Sequence, residues 1–288
     1  MIRSLWFSGL LAVAMAATAL AAGDASPDWP AGGATSPDGT PVGFLLSRPQ
    51  GAGPFPVVIF LHGAPGGVGT EALRRYTTSS RWTRFLAEGF AVCIADYRGH
   101  PENDPFAVLK GKATAADDLA ALIGHLSRQP GLDVRRLAVI GQSLGGVVTL
   151  DAVAREKIAP ACIVATAPAT YPFIGYHGGR GGKRDRDLGD ADIDRPGTLQ
   201  RIEKINLPVL IVQGTDDHTD LFALNKKLFE VMKSAGKDVR LELFEGAGHP
   251  FTLGPDGDNY QRALEITVAF IKSHTALPPN PNPIPPAR

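Results

Sequence analysis

Short runs of apolar residues alternate along the chain with longer segments in which apolar residues recur every three or four positions. The runs predict seven strands, which are VGFLLSRP (42–49), PVVIFLHG (56–63), FAVCIADYRG (90–99), RLAVIGQS (136–143), ACIVATAP (161–168), PVLIVQGTDD (208–217) and VRLELFEGAGH (239–249). Several are almost continuously apolar, as in strands that are buried on both faces. The alternation therefore predicts an α/β fold around one mostly parallel sheet.

The segments between the runs predict amphipathic helices. They are TRFLAEG (83–89), TAADDLAALIGHLSRQ (114–129), GGVVTLDAVARE (145–156), TDLFALNKKLFEVMKSAG (219–236) and NYQRALEITVAFIKSH (259–274). Residues 169–200 break the rhythm, because they are rich in Gly, Arg and Asp, and we expect a solvated loop or a lid there. Residues 275–288 hold six of the 24 prolines, which predicts a disordered tail after a folded domain over 22–274.

The N-terminus has the features of a secretory signal. Arg3 precedes an apolar stretch that is short for a membrane span, and small residues at Ala19 and Ala21 form a cleavage site. We therefore expect residues 1–21 to be removed. The mature protein is then expected to be secreted or periplasmic, without stable insertion in a membrane.

Charge and composition exclude several kinds of partner. The 29 basic residues balance 29 acidic residues, so the chain lacks the basic surface typical of nucleic-acid binding. The Asp-rich segments do not have the spacing of a calcium-binding loop, and no His/Cys cluster has zinc spacing. We expect neither a metal nor a cofactor. The sequence does not indicate an oligomeric state.

The segment Gly141-Gln142-Ser143-Leu144-Gly145 is the strongest chemical signal. It fits G-x-S-x-G and lies between a predicted strand and a predicted helix, which is the context that this motif requires. In such a turn the serine is held in a strained conformation at a helix N-terminus, where negative charge is stabilised. Ser143 is therefore the candidate nucleophile.

A serine nucleophile needs a base, and the base needs a carboxylate. His249 is the best placed of the seven histidines, because it follows the last predicted strand on a Gly-rich loop. Asp216 and Asp217 both follow the preceding predicted strand. The chain order Ser, Asp, His is that of α/β-hydrolase triads.

Five motifs, FLHGAPGG, DYRGH, GQSLGG, QGTDD and GAGHPF, occur in that order. With them the chain over about residues 40–274 resembles the α/β-hydrolase superfamily, particularly its dienelactone-hydrolase-like and prolyl-oligopeptidase-like serine hydrolases. The resemblance implies a mostly parallel eight-stranded sheet with helices on both faces. It also favours Asp217 over Asp216 as the triad acid. Dienelactone hydrolase itself uses a cysteine nucleophile, so Ser143 points away from that reaction.

The resemblance also implies an oxyanion hole and supporting residues. Its two backbone donors correspond to the N–H groups of Leu144 and Ala64. His62 is expected to form structural hydrogen bonds, and Asp96 and Arg98 are expected to brace neighbouring loops.

The chain has two cysteines, and an oxidising compartment would permit a disulfide between them. In the strand order 1-2-4-3-5-6-7-8 that the resemblance implies, Cys93 and Cys162 are three strand spacings apart. At about 4.8 Å per strand they are separated by about 14 Å, twice the reach of a disulfide. We therefore predict two buried free thiols.

The sequence favours a serine hydrolase that cleaves small-molecule carboxylic esters through an acyl-enzyme. A first alternative is a serine peptidase of the prolyl-oligopeptidase type acting on short peptides, although the chain has no room for the propeller domain of those enzymes. A second is a binding protein that retains the fold without turnover. A lipase is disfavoured by the polar centre of 169–200, although Tyr171, Phe173, Ile174 and Tyr176 are candidates for an acyl or aromatic pocket.

Overall fold

The computed structural model describes residues 27–178, 188–217, 220–249, 251–253 and 257–276. The predicted signal at 1–21, the centre of the predicted insertion and most of the predicted tail lie outside these ranges. Among the described residues, no helix is long and apolar enough to cross a membrane.

The described strands form one sheet of eight. They are β1 (Ala31–Thr35), β2 (Pro41–Ser47), β3 (Phe55–Leu61), β4 (Ala91–Ala95), β5 (Leu132–Gln142), β6 (Cys162–Thr166), β7 (Val209–Gly214) and β8 (Val239–Phe244). Their order is β1-β2-β4-β3-β5-β6-β7-β8. The first two strands pair antiparallel and all other pairs except β2 with β4 are parallel. The predicted fold and strand order are confirmed.

Helices cover both faces of the sheet. They are α1 (Ser80–Ala87), α2 (Ala115–Leu126), α3 (Leu144–Ala154), α4 (Arg195–Glu203), α5 (Leu221–Ser234) and α6 (Asp258–Thr275). Apolar side chains of α1 and α6 pack in one core layer, and those of α2, α3 and α5 pack in the other. Alternate residues of the central strands enter the two layers, since successive side chains of a strand point to opposite faces.

Both cysteines are buried and unpaired, as predicted. Cys93 belongs to the core layer that contains α2, and Cys162 belongs to the layer on the other face of the sheet. Burial raises the pKa of Cys162 to about 12, and it also raises the pKa of Cys93. Both thiols are therefore in their neutral form at physiological pH.

The strand register brings three strand ends together. Gly141 at the end of β5 is paired with Leu61 of β3 on one side and with Ala165 of β6 on the other. The loops that follow these strands therefore leave the sheet side by side. Ligand sites of open α/β sheets lie at this carboxyl edge.

Candidate active site

Ser143 lies between β5 and α3 in a strained backbone conformation. Its φ of 51° and ψ of −115° lie in a region that residues with a side chain rarely adopt. Its backbone N–H donates to Thr166 O at 2.9 Å, and its carbonyl accepts from Gly146 N at 3.1 Å and from Ala169 N at 2.9 Å. These bonds on both sides hold the turn, so that the hydroxyl is presented at the N-terminus of α3.

The two outer glycines of the motif are required by close approach. A Cβ at Gly145 would overlap the carbonyl oxygens of Leu61 and His62 at the end of β3. A Cβ at Gly141 would overlap Gly145 O. The first turn of α3 can therefore pack against the strand ends only when both positions lack a side chain, which explains the G-x-S-x-G spacing.

His249 and Asp217 form a hydrogen-bonded pair across two loops. Nδ1 of His249 lies 3.0 Å from Oδ2 of Asp217, and the side chains are 13% and 1% exposed. A carboxylate can only accept here, so Nδ1–H donates and Nε2 is the nitrogen left for a proton acceptor role. The pair has the form of the base and acid of a hydrolase triad.

The neighbouring acid occupies a different environment. Asp216 is exposed, and its backbone N–H donates to Ala247 O at 3.0 Å. Asp217 is buried and also accepts from Gln213 Nε2 at 3.1 Å. The structure thus places Asp217, and not Asp216, beside the imidazole.

The loop after β3 approaches the serine. A Cβ at Gly63 would lie 3.2 Å from Ser143 Cβ and 3.8 Å from Ser143 Oγ. Ala64 follows directly and is exposed, while Leu144 is the first residue of α3, where backbone N–H groups have no acceptor within the helix. The chain segments of both predicted oxyanion donors therefore flank Ser143.

Asp96 holds the loop after β3 in place through hydrogen bonds. Its carboxylate accepts from the backbone N–H groups of Gly67 at 3.0 Å, Gly69 at 2.7 Å and Tyr97 at 2.8 Å, and His62 Nε2 lies 3.1 Å from its Oδ1. Burial by itself would raise the pKa of Asp96, but these hydrogen bonds together hold it below its ordinary value. The carboxylate is thereby ionised and fixes the loop.

His62 and Arg98 have the structural surroundings expected of them. His62 is fully buried and stacks with the rings of Tyr76 and Tyr97, with centroids 5.5 and 5.1 Å away. Arg98 bonds to Asp118 at 2.6 Å and to Asp38 at 3.0 Å. His62 thus joins the ends of β3 and β4, and Arg98 joins the loop after β4 to α2 and to the turn that holds Asp38.

The segment after β6, whose Ala169 N–H donates to Ser143 O, carries aromatic side chains. Tyr171 and Tyr176 are partly exposed, with ring centroids 6.1 Å apart, and Phe106 lies 6.0 Å from Tyr171. Phe173 and Ile174, by contrast, are buried in the core, so they do not fit the predicted pocket lining. The reason is that this segment turns back on itself, with the backbone N–H of residue 174 donating to Thr170 O at 3.0 Å.

Three functional candidates were missed from the sequence. Gln213, Asn225 and Thr170 form buried hydrogen bonds that lead to Asp217. The sequence feature that could have pointed to them is Asn225, because it is a polar residue on the apolar face of the helix predicted over 219–236. In the described part of the chain, no group of three or more His, Cys, Asp or Glu side chains is arranged to hold a metal ion.

Known proteins share both the sequence pattern and the fold. Residues 76–277 match the model of the prolyl oligopeptidase family. Dipeptidyl aminopeptidase BIII of Pseudoxanthomonas mexicana is 25% identical over 268 residues, which are 84% of this chain and 38% of that protein. The chain spans about a third to a half of the length of the first curated relatives it matches, 34% of one and 53% of another.

Solved structures show the same architecture at low sequence identity. The acylaminoacyl peptidase of Pyrococcus horikoshii has a TM-score of 0.66 and 16% identity, covering 87% of this chain and 42% of that chain. An esterase of Pyrobaculum calidifontis has a TM-score of 0.61 and 19% identity, covering 85% of each chain. These likenesses confirm the α/β-hydrolase fold. The family model covers more than half of this chain. The chain therefore belongs to the prolyl oligopeptidase family of serine hydrolases.

Proposed function

We propose that the chain hydrolyses carboxylic esters through an acyl-enzyme on Ser143. The observation that carries the proposal is the pair of His249 Nδ1 and Asp217 Oδ2 at 3.0 Å, on the same sheet edge as a serine with a φ of 51°. A paired imidazole is the group that a serine hydroxyl needs in order to become a nucleophile.

The reaction would proceed in two acyl transfers. In the first, Oγ of Ser143 attacks the ester carbonyl carbon while Nε2 of His249 accepts the hydroxyl proton, and Asp217 stabilises the imidazolium. The N–H groups of Leu144 and Ala64 would donate to the oxyanion. His249 then returns the proton to the departing alcohol oxygen. Water repeats the sequence on the acyl-enzyme and releases the carboxylic acid.

Two features support esters as the substrates. The fold is shared with the Pyrobaculum calidifontis esterase over 85% of both chains. Tyr171 and Tyr176 lie on the segment whose Ala169 N–H bonds to Ser143 O, so an apolar or aromatic acyl group could pack beside the serine.

The second candidate is a peptidase acting on short peptides. It is favoured by the family match and by the similarity to dipeptidyl aminopeptidase BIII. The same triad serves both reactions. They differ in that amide hydrolysis requires more complete protonation of the leaving nitrogen.

The test is a substrate panel on the mature protein with p-nitrophenyl esters of increasing acyl length, aryl esters and aminoacyl anilides. We expect kcat/KM to be higher for esters, and a preference for the anilides would replace the ester proposal with the peptidase. A fluorophosphonate should label the wild type and Ser127→Ala, an exposed serine on the end of α2, but not Ser143→Ala. Lack of labelling in folded wild-type protein would favour a binding protein.

A further inference from the structure

A line of buried hydrogen bonds leads from the loop after β6 to the predicted triad acid. Thr170 Oγ1 donates to Asn225 Oδ1 at 2.7 Å, Asn225 Nδ2 donates to Gln213 Oε1 at 2.7 Å, and Gln213 Nε2 donates to Asp217 Oδ2 at 3.1 Å. Thr170, Asn225 and Gln213 are 0% exposed. The last acceptor, Oδ2, is the oxygen that His249 also contacts.

Two backbone carbonyls fix the direction of every bond in this line. Pro168 O lies 3.1 Å from Asn225 Nδ2, and Gly214 O lies 2.9 Å from Gln213 Nε2. A carbonyl can only accept a hydrogen bond, so each amide must turn its NH₂ group toward that carbonyl. Gln213 consequently presents a donor, and not its oxygen, to Asp217.

The same loop is bonded to the nucleophile. Ala169, between Pro168 and Thr170, donates its backbone N–H to Ser143 O at 2.9 Å. One end of the line is therefore attached to the serine turn and the other end to the acid, through α5 and the end of β7. A shift of the loop after β6 would therefore alter hydrogen bonds at the serine turn and in the line that leads to Asp217.

We propose that Gln213 and Asn225 are positioning residues for the triad, which act through Asp217. Asn225 anchors the Gln213 amide at Oε1, and the NH₂ group of that amide holds the Asp217 carboxylate with Oδ2 aimed at His249. The inference rests on the proposed role of Asp217 as the triad acid. A buried carboxylate needs such donors, because an unpartnered charge in the core is strongly destabilised.

Removal of either amide should weaken catalysis without changing the reacting groups. In Gln213→Leu, Asp217 loses the donor that holds Oδ2, so its hydrogen bond to His249 Nδ1 is fixed less firmly. In Asn225→Leu, Gln213 Oε1 loses its donor, so the amide is held only at Nε2 and supports Asp217 less firmly. We expect kcat to fall about tenfold or more with KM little changed. Losses of this size are typical when a residue is removed that hydrogen-bonds to a functional side chain without touching the substrate.

The experiment combines ester kinetics with proton NMR of the substrate-free protein. The His249 Nδ1 proton should appear as a downfield signal that is absent from His249→Gln, and this signal should shift or broaden in both amide variants. Thr198→Val is the matched control, because it removes an equally buried hydroxyl that bonds to Ile174 O at 3.0 Å outside the line. It should leave the signal and kcat unchanged.

Thr170 keeps the test decisive if a leucine variant fails to fold. Thr170→Val preserves shape and removes the donor to Asn225, whereas Thr170→Ser keeps the hydroxyl and should restore both the signal and kcat. An unchanged downfield signal in the folded amide variants, or in Thr170→Val where these do not fold, would overturn the inference. The NMR signal is read without turnover, so a protein that shows it but hydrolyses nothing would contradict only the proposed function.

Discussion

At the scale of single residues, the environment of two adjacent aspartates separates their chemistry. Asp217 is 1% exposed and hydrogen-bonded to His249 and Gln213, while Asp216 is exposed beside it. A triad acid holds the imidazole in the tautomer that leaves Nε2 free to take a proton. An exposed carboxylate cannot do this, because it faces water rather than the ring.

Exchange of each aspartate for asparagine tests this assignment. Asp217→Asn should lower kcat on the preferred ester by about 10⁴-fold, because an amide in this place favours the wrong tautomer of His249. Asp216→Asn should remain within about twofold of the wild type, since surface substitutions leave the site intact. The measurement is steady-state kinetics at one saturating substrate concentration. A large loss of kcat in Asp216→Asn, together with an active Asp217→Asn, would assign the role of triad acid to Asp216 instead.

At the scale of elements, the contact between α3 and the end of β3 depends on Gly145. Gly145→Ala would drive a Cβ into the carbonyl oxygens of Leu61 and His62, which are backbone atoms and cannot rotate away. Overpacking of this kind should lower the free energy of unfolding by about 2 kcal/mol or more. Gly33→Ala in β1 is the control, because no heavy atom lies within 4 Å of its Cβ position. Urea denaturation that gives equal midpoints for the two variants would contradict the packing argument.

The elements also show what sequence patterns can and cannot predict. The central strands were predicted because they are continuously apolar, and the motif at Ser143 was recognisable because backbone crowding demands its glycines. The strand AGGAT over Ala31–Thr35 was missed, since it has two glycines and pairs only with β2 at the sheet edge. The helix Arg195–Glu203 was also missed. Its first residues include Pro and Gly. Its N-terminus is capped by Asp194, whose Oδ1 accepts from the backbone N–H of Gly197 at 3.0 Å.

The hydrogen bonds around Asp217, the proposed triad acid, were unpredictable for a different reason. They join residues from the loop after β6, from β7 and its following loop, and from α5, which are far apart in the chain, and only the packed fold brings them together. A pattern within one element contains no information about such partners. The sequence therefore predicts the candidate reacting residues, but not the residues that hold them in place.

At the scale of the whole molecule, several carboxylates make folding sensitive to acid. Hydrogen bonds from Arg98 and Thr40 lower the pKa of Asp38 to about 2. Burial alone would raise the pKa of Asp96 and of Asp133, yet hydrogen bonds lower both, from His62 and backbone N–H groups to Asp96 and from two arginines to Asp133. Lowered values mean that the folded state binds protons less readily than the unfolded state.

These shifts determine the sign of the pH dependence. The stabilisation from Asp96 is present above the unfolded pKa of about 4 and is lost as the pH falls below that value toward the folded pKa. The free energy of unfolding, measured with urea, should therefore fall between about pH 4 and pH 2. Asp96→Asn should reduce this fall. Asp151→Asn should enlarge the net loss between neutral pH and pH 2, because burial raises the pKa of Asp151 and its protonation favours the folded state. An identical pH dependence in wild type and Asp96→Asn would show that the loop carboxylate does not contribute to acid stability.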